Sequence, residues 1–351
     1  MVKFAFNNVK LAGISSVVPV CEKNLLEEKN LYDGNEKKIN RVINSSGFLK
    51  RRVTGEETTS DLCFQAAGDL IKNLKIDKNE IDALLFVSYT PDYLMPATSY
   101  VIHNKLGLSA NCICMDIPQA CSGFILGLYQ AAMLINSGCK KVLLLVGDSF
   151  SKFSDMFNNN TAPVFGDAGT ATLLEFDDKA EKMFFNINSD GSGYDSLICE
   201  NGGFRNPVTS SDFYEDGKYM YKSKMDGGRI FDFTMNNVAP NIEDLLKYAN
   251  LSVENLDEVI FHQANKFILE NIARKLEIDP ARVSTETLTN YGNQCGASIP
   301  CTISNTLREK VTNSNVKCLL SGFGVGLSWA SAIININKIY CSELNDYRKE
   351  D

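Results

Sequence analysis

Three separate segments of the chain carry residue types that together could act on a thioester. Of the two histidines in the 351-residue sequence, His262 begins the polar stretch 262–265. Cys121 lies upstream in a Gln-Ala-Cys-Ser-Gly-Phe segment, and Asn293 lies downstream in a Tyr-Gly-Asn segment. A cysteine supplies a nucleophilic sulfur, an imidazole handles a proton or an oxyanion, and an amide donates a second hydrogen bond. The three residues predict acyl chemistry, provided that the fold brings them together.

Cys121 is expected at the beginning of a helix. The pattern predicts a strand over residues 112–116 and a buried helix over residues 123–135, since the second segment is almost wholly apolar. Unpaired N–H groups and the dipole at a helix N-terminus favour a thiolate over a thiol. A small buried core cysteine is the alternative, and it is the default interpretation for the other ten cysteines.

The histidines and a glycine-rich turn have different settings. His262 directly follows a strand-like run at residues 258–261, where a side chain can point into a cleft; a hydrogen-bonded core histidine is the alternative. His103 lies in a helical pattern and is expected on the helix surface.

The glycine-rich turn at residues 322–326 lacks the Lys-Ser/Thr of a phosphate-binding loop. It would nevertheless expose backbone N–H groups that can bind an oxyanion.

The two halves of the sequence resemble each other at an offset of 175 residues. Residues 76–86 match 251–261, residues 142–147 match 317–322, and Gln119 matches Gln294. Within each half the pattern alternates between strand and helix, which indicates α/β layers. We therefore expect two halves, residues 1–178 and 179–351, packed as one pseudo-symmetric unit, with a loop or insertion at residues 201–229.

Composition narrows the class of protein. The net charge of -8 argues against a general nucleic-acid binder. Eleven scattered cysteines, many of them in apolar runs, indicate reduced thiols in a cytoplasmic protein. Cys112 and Cys114 lie in a strand-like segment without a nearby histidine, so no zinc site is expected.

The uncharged run 318–334 is more typical of a strand, a glycine turn and a second strand than of a membrane span. No membrane span is therefore expected.

Five motifs together resemble the β-ketoacyl-acyl-carrier-protein synthase III family of thiolase-fold condensing enzymes. They follow the family's order and spacing over nearly the whole chain, at residues 120–124, 165–169, 262–265, 291–293 and 322–329. The resemblance implies an α/β, thiolase-like, five-layered αβαβα fold of two pseudo-symmetric halves, and a homodimer. No cofactor and no metal are expected.

The resemblance also implies the mechanism of a condensing enzyme of fatty-acid biosynthesis. Cys121 would attack an acyl thioester, either acyl-CoA or an acylated carrier protein, and hold the acyl group. His262 and Asn293 would hydrogen-bond the carbonyl of malonyl carrier protein as it loses carbon dioxide, and the resulting enolate would attack the acyl group. The alternative is an acyltransferase that passes the acyl group from Cys121 to an amine or hydroxyl in a specialised glycan or secondary-metabolite pathway.

Further residues take expected roles from the same resemblance. Backbone N–H groups of Cys121 and Val325 resemble an oxyanion hole, and Gly324 and Gly326 flank Val325 in that turn. Phe323 matches an aromatic residue beside the nucleophile that disfavours the malonyl carboxylate. Met95 matches the position that reaches into the acyl tunnel of the partner subunit.

Substrate-docking positions depart from the family pattern in one place and follow it in another. Arg41, Asn159 and Ser45 stand where members that use acyl-CoA have CoA-binding residues, which argues against priming by acyl-CoA. Lys266, Arg274 and Lys275 lie on a predicted helix over residues 266–276, where the family has a basic patch for the acidic carrier protein. An ordinary solvated helix face is the alternative for these three residues.

Overall fold

The computed structural model describes residues 2–153, 163–214, 217 and 219–349. The strands, in chain order, are β1 (Lys3–Phe6), β2 (Val9–Val18), β3 (Glu22–Asn24), β4 (Lys50–Arg52), β5 (Ala83–Val87), β6 (Ile113–Ile117), β7 (Lys141–Asp148), β8 (Ala168–Phe176), β9 (Met183–Ser189), β10 (Leu197–Cys199), β11 (Ser223–Met225), β12 (Glu258–Phe261), β13 (Asn315–Gly324), β14 (Ser328–Asn337) and β15 (Tyr340–Asp346).

The α-helices lie between these strands. They are α1 (Glu36–Ser46), α2 (Thr59–Leu74), α3 (Thr98–Leu106), α4 (Gly123–Asn136), α5 (Gly227–Ala249), α6 (Lys266–Lys275), α7 (Glu286–Tyr291), α8 (Ser298–Thr302) and α9 (Arg308–Asn313). A π-helical turn, Ile303–Leu307, joins α8 to α9.

Two mixed sheets form the centre of the molecule. Their strand orders are β15-β2-β8-β7-β5-β6 and β1-β9-β14-β13-β12. The pairs β5/β7 and β12/β13 are parallel, and the pairs β7/β8 and β13/β14 that adjoin them are antiparallel. The two sheets therefore share one topology around the strands that precede the predicted site residues.

Alternating side chains along the strands build five layers. In β7, Leu143 and Leu145 face a core formed with α2 and α3, whereas Leu144 and Val146 face the opposite core. That second core contains α4, α8, α9 and residues of both sheets, and a third core joins α5 and α6 to the outer face of the second sheet. The predicted αβαβα layering is confirmed, because each sheet buries both of its faces against helices.

The internal repeat is present in three dimensions. β5 and β12 begin 175 residues apart, at Ala83 and Glu258, and α4 and α8 begin 175 residues apart, at Gly123 and Ser298. The terminal strands cross between the halves, since β1 pairs with β9 and β15 pairs with β2. The boundary between residues 178 and 179 remains a prediction.

The few elements whose bounds the sequence pattern predicted lie within a residue or two of those bounds. The strands predicted at residues 83–87 and 258–261 are β5 and β12, and the predicted helix over 123–135 is α4, which ends one residue later. Residues 318–334 form most of β13, a glycine turn and part of β14. Within the described ranges, no helix combines the length and the apolar character needed to cross a membrane.

Candidate active site

Cys121 lies in a tight turn just before α4. Ser122 is the N-cap residue of α4, and its Oγ is 2.7 Å from Ser328 Oγ at the start of β14. Gly322 lets β13 approach this turn closely, because a Cβ there would lie 2.7 Å from the Cys121 carbonyl oxygen. The predicted helix N-terminus at the sulfur is confirmed, and contacts from β13 and β14 hold the turn.

The surroundings of Cys121 hold its pKa well below the usual range of a thiol. The thiol of Cys295 donates a hydrogen bond to the Cys121 sulfur, and the electrostatic effect and hydrogen bond of His262 and the backbone N–H of Val325 act in the same direction. These three partners outweigh burial, which by itself favours the neutral thiol. These surroundings favour the thiolate form of Cys121, the form in which a cysteine acts as a nucleophile.

Other cysteines show the opposite behaviour. Burial raises the pKa of a set of thiols distributed through the cores and loops: Cys63, Cys112, Cys114, Cys139, Cys199, Cys295, Cys301, Cys318 and Cys341. This contrast supports the interpretation of Cys121 as the nucleophile.

His262 is fully buried at the end of β12 and has a fixed ring orientation. Its backbone N–H donates to the Ser321 carbonyl at 2.8 Å, which continues the β12–β13 ladder. Its Nδ1 is 2.8 Å from Ser298 Oγ, and Phe323 meets the ring edge-on at 5.7 Å between centroids. Because Nδ1 is engaged by Ser298, Nε2 remains for the hydrogen bond to Cys121.

Asn293 is held by backbone pairing on both sides. Its N–H donates to the Val164 carbonyl at 2.9 Å, and its carbonyl accepts the Gly166 N–H at 3.1 Å. Its Oδ1 accepts the Cys295 N–H at 2.9 Å, so the amide turns its Nδ2 donor away from Cys295. Since Cys295 also contacts Cys121, Asn293 belongs to the same site as the nucleophile.

The glycine-rich turn after β13 closes over the sulfur. A Cβ at Gly324 would lie 2.7 Å from both Cβ and Sγ of Cys121. Gly326 has a φ of 136°, a conformation that L side chains rarely adopt. The turn brings the Val325 N–H to the Cys121 sulfur, where it could stabilise an oxyanion.

Two residues of this site were not singled out by sequence reasoning. Cys295 was assigned to the structural core by default, although the 175-residue offset places it opposite Ala120, beside the nucleophile. Asp148 is fully buried at the end of β7, where it accepts the Tyr89 N–H at 2.8 Å, and burial raises its pKa well above its usual value. Its position after an apolar strand was a signal that could have identified it.

Comparisons with known proteins agree with this geometry. Two family models match the chain, 3-oxoacyl-[acyl-carrier-protein] synthase III over residues 115–191 and its C-terminal model over residues 246–336. A Campylobacter jejuni protein named putative 3-oxoacyl-[acyl-carrier-protein] synthase 3 is 34% identical over 99% of each chain. A β-ketoacyl-[acyl-carrier-protein] synthase III from Streptococcus mutans is 35% identical over 84% of this chain and 90% of its own.

A solved structure extends the agreement to three dimensions. The 3-oxoacyl-(acyl-carrier protein) synthase of Burkholderia xenovorans superposes with a TM-score of 0.92 at 34% identity, over 98% of this chain and 99% of that one. The chain belongs to the β-ketoacyl-acyl-carrier-protein synthase III family. It is a synthase III-like condensing enzyme with the thiolase-type fold, and these comparisons do not favour the acyltransferase alternative.

The other predicted residues of this synthase III lie outside the Cys121 cluster. Met95 is 84% exposed on the segment before α3. On α6, Glu270 lies between Lys266 and Arg274, at 4.0 and 2.9 Å, and Lys275 donates to the Met235 carbonyl. Their roles in docking remain predictions.

Residues predicted at the CoA-binding positions are only partly described. Arg41 and Ser45 line a shallow surface depression on α1, together with Lys37, Asn40 and Asn44. Asn159 lies outside the described residues.

One expectation about the cysteines was wrong. We expected no histidine near Cys112 and Cys114, and His103 on a helix surface. The structure instead brings one ring nitrogen of His103 and the two sulfur atoms within 4.8 Å of one another. The sequence separation of nine residues between His103 and Cys112 hid this contact, because α3 folds back along β6.

Proposed function

We propose that this synthase III-like enzyme joins an acyl group held on Cys121 to malonyl carrier protein by decarboxylative condensation. The observation that carries the proposal is the meeting of a low-pKa cysteine, a buried histidine and an oriented asparagine amide beneath the turn at residues 322–326. No cofactor is needed for this chemistry.

The first step is acyl transfer to the enzyme. The Cys121 thiolate attacks the carbonyl carbon of an acyl thioester, and N–H groups of Cys121 and Val325 stabilise the oxyanion. Collapse of the intermediate breaks the bond to the carrier sulfur, which leaves as a thiolate and takes a proton from solvent. The acyl group remains on the Cys121 sulfur.

The second step uses His262 and Asn293. Their N–H donors hold the carbonyl oxygen of the malonyl thioester, so that charge on this oxygen is stabilised when the bond to the carboxylate breaks and carbon dioxide leaves. The enolate carbon attacks the acyl-Cys121 carbonyl, and the Cys121 thiolate departs. Phe323 gives His262 an apolar neighbour, which disfavours the malonyl carboxylate in the reacting site.

Carrier protein is the proposed donor on both steps. Lys266 of α6 packs beside α1, where Lys37 and Arg41 add positive charge to a shallow depression. Such a positively charged surface suits an acidic carrier protein. Glu270 partly neutralises the charge of Lys266 and Arg274 by forming ion pairs with both. The eleven free cysteines fit a reducing, cytoplasmic location.

A homodimer is proposed through the edge strand β6. Ile113 and Met115 are 46% and 37% exposed, although they lie on the face of β6 that points toward the middle helical layer. Tyr100 of α3 and Met95 before it are also exposed apolar residues. An open edge with uncovered apolar side chains fits pairing with a second copy, which would bring Met95 to the acyl tunnel of the partner.

Mass spectrometry and carbon dioxide release test the proposed reaction. Incubation with a carrier protein that bears an acyl thioester should add one acyl group to the wild-type protein and to Cys21→Ser, and none to Cys121→Ala. Adding malonyl carrier protein should then release carbon dioxide and form a 3-oxoacyl product. Acyl transfer to an amine or alcohol without carbon dioxide release would reject the condensation.

A further inference from the structure

A second cluster of metal-ligating side chains lies away from Cys121, between α3 and β6. One ring nitrogen of His103 and the sulfur atoms of Cys112 and Cys114 lie within 4.8 Å of one another. Within the described residues, this is the one group of three or more His, Cys, Asp or Glu side chains that meets this distance. We propose that His103, Cys112 and Cys114 form a binding site for a soft divalent cation, with Zn²⁺ as the best match.

The position of the two sulfur atoms follows from the strand. Cys112 directly precedes β6 and Cys114 is the second residue of this strand, and both side chains lie on the same face of the sheet. That face is the one covered by α2 and α3, and both cysteines contact its apolar core. The spacing therefore aims both sulfur atoms at the helix that carries His103.

The histidine is oriented for coordination. His103 Nε2 is 2.9 Å from the carbonyl oxygen of Ser109. A carbonyl only accepts, so Nε2 carries the proton in this pairing, and we take Nδ1, which then keeps a lone pair, as the metal-binding nitrogen of the proposed site. A histidine ligand whose second nitrogen donates to a backbone carbonyl is the usual arrangement at protein metal sites.

The donor set determines the class of ion. Two thiolates and one imidazole favour Zn²⁺ or a similar soft cation over Mg²⁺ or Ca²⁺, which prefer oxygen ligands. Binding would replace one proton on each thiol, so about two protons would be released per ion. The three side chains supply three positions of a tetrahedron, and water supplies the fourth.

The site is internal to one chain and independent of the condensation chemistry. Cys112 and Cys114 project from the opposite face of β6 to Ile113 and Met115, the residues proposed at the dimer edge. The ion would join α3 to the last strand of the six-stranded sheet. It should therefore stabilise the fold around β6 rather than take part in acyl transfer.

Cobalt binding to the reduced protein tests this site. Metal-free wild-type protein, kept under a phosphine reductant, should bind about one Co²⁺ per chain, with a sulfur-to-cobalt charge-transfer band and intense visible bands of tetrahedral Co²⁺. Added Zn²⁺ should displace the Co²⁺ and raise the Tm. Cys121→Ala and Cys139→Ser should retain both signals, which separates this site from the active-site thiol and from another half-buried cysteine.

Substitution of the ligands gives the decisive comparison. Cys112→Ser/Cys114→Ser should lose the charge-transfer band and the Tm shift, and His103→Gln should weaken Zn²⁺ binding at least about tenfold, the lower end of the cost of removing even an outer-shell partner. Circular dichroism of each metal-free variant checks that it is folded. No band in the reduced wild-type protein, or an equal band in Cys112→Ser/Cys114→Ser, would overturn the proposal.

Discussion

At the scale of single residues, the site depends on which groups touch one sulfur. Cys121 has a thiol donor from Cys295, an imidazole from His262 and a backbone donor from Val325. Each partner stabilises the negative charge, and the largest effect comes from the hydrogen bond of Cys295, a residue that sequence reasoning did not single out. Cys295 is therefore expected to act through Cys121 as a positioning residue.

Replacing Cys295 by Ala should raise the pKa of Cys121, because the variant removes a hydrogen bond to the thiolate. We expect alkylation of Cys121 by iodoacetamide, measured at pH values below the midpoint of the wild-type pH profile, to slow about tenfold, which corresponds to roughly 1.4 kcal/mol, a value near the weak end for hydrogen bonds to charged groups. The pH profile of alkylation should move to higher pH.

Cys295→Ser is the matched control, since its hydroxyl can still donate to the sulfur. Its pH profile should stay close to that of the wild-type protein. A Cys295→Ala profile that overlays the wild-type profile would contradict the role given to this thiol.

At the scale of elements, loops from both halves hold the catalytic groups. The segment before β8 pairs with Asn293 through Phe165, and Asp167 fastens that segment to its neighbours. Asp167 is fully buried and accepts hydrogen bonds from Thr54 N at 2.8 Å, Thr54 Oγ1 at 2.8 Å and Ser151 N at 2.9 Å. The Phe-Gly-Asp motif is therefore a clamp that sets the position of Asn293.

Asp167→Ala should lower the free energy of unfolding by about 3 kcal/mol, because it removes a fully buried acceptor that partly buried donors of Thr54 and Ser151 share. Urea denaturation measures this loss. Asp167→Asn keeps one oxygen acceptor and should lose less. If Asp167→Ala unfolds at the same urea concentration as the wild-type protein, the clamp is not a major source of stability.

At the scale of the whole molecule, two equivalent sheets place helix starts at one centre. The repeat puts the N-terminus of α4 beside Cys121 and the N-terminus of α8 beside His262, whose ring contacts Ser298. The proposed catalytic groups thus come from both halves, and neither half contains all of them. The exposed edge at β6 extends this organisation to a proposed dimer.

Met115→Glu should convert a dimer to a monomer, because it places a charge on the apolar face of the β6 edge. Light scattering coupled to size exclusion gives the mass directly. Phe204→Glu changes another exposed apolar residue, 93% exposed and not part of β6, and should leave the mass unchanged. A wild-type monomer would contradict the proposed dimer, and a Met115→Glu dimer would contradict the assignment of its interface to β6.

The sequence by itself determined the elements and the identity of the reacting groups. Short strand-like apolar runs predicted β5 and β12, and an apolar run of helical length predicted α4, because these signals are local. The 175-residue repeat predicted two similar halves, and the motifs around Cys121, His262 and Asn293 predicted acyl chemistry.

Only the tertiary structure decided which side chains touch. Cys295 at Cys121, Ser298 at His262, and His103 at Cys112 and Cys114 are contacts between elements whose approach depends on strand order and packing. Those distances depend on burial of both faces of each sheet, a property of the whole chain that no local pattern contains.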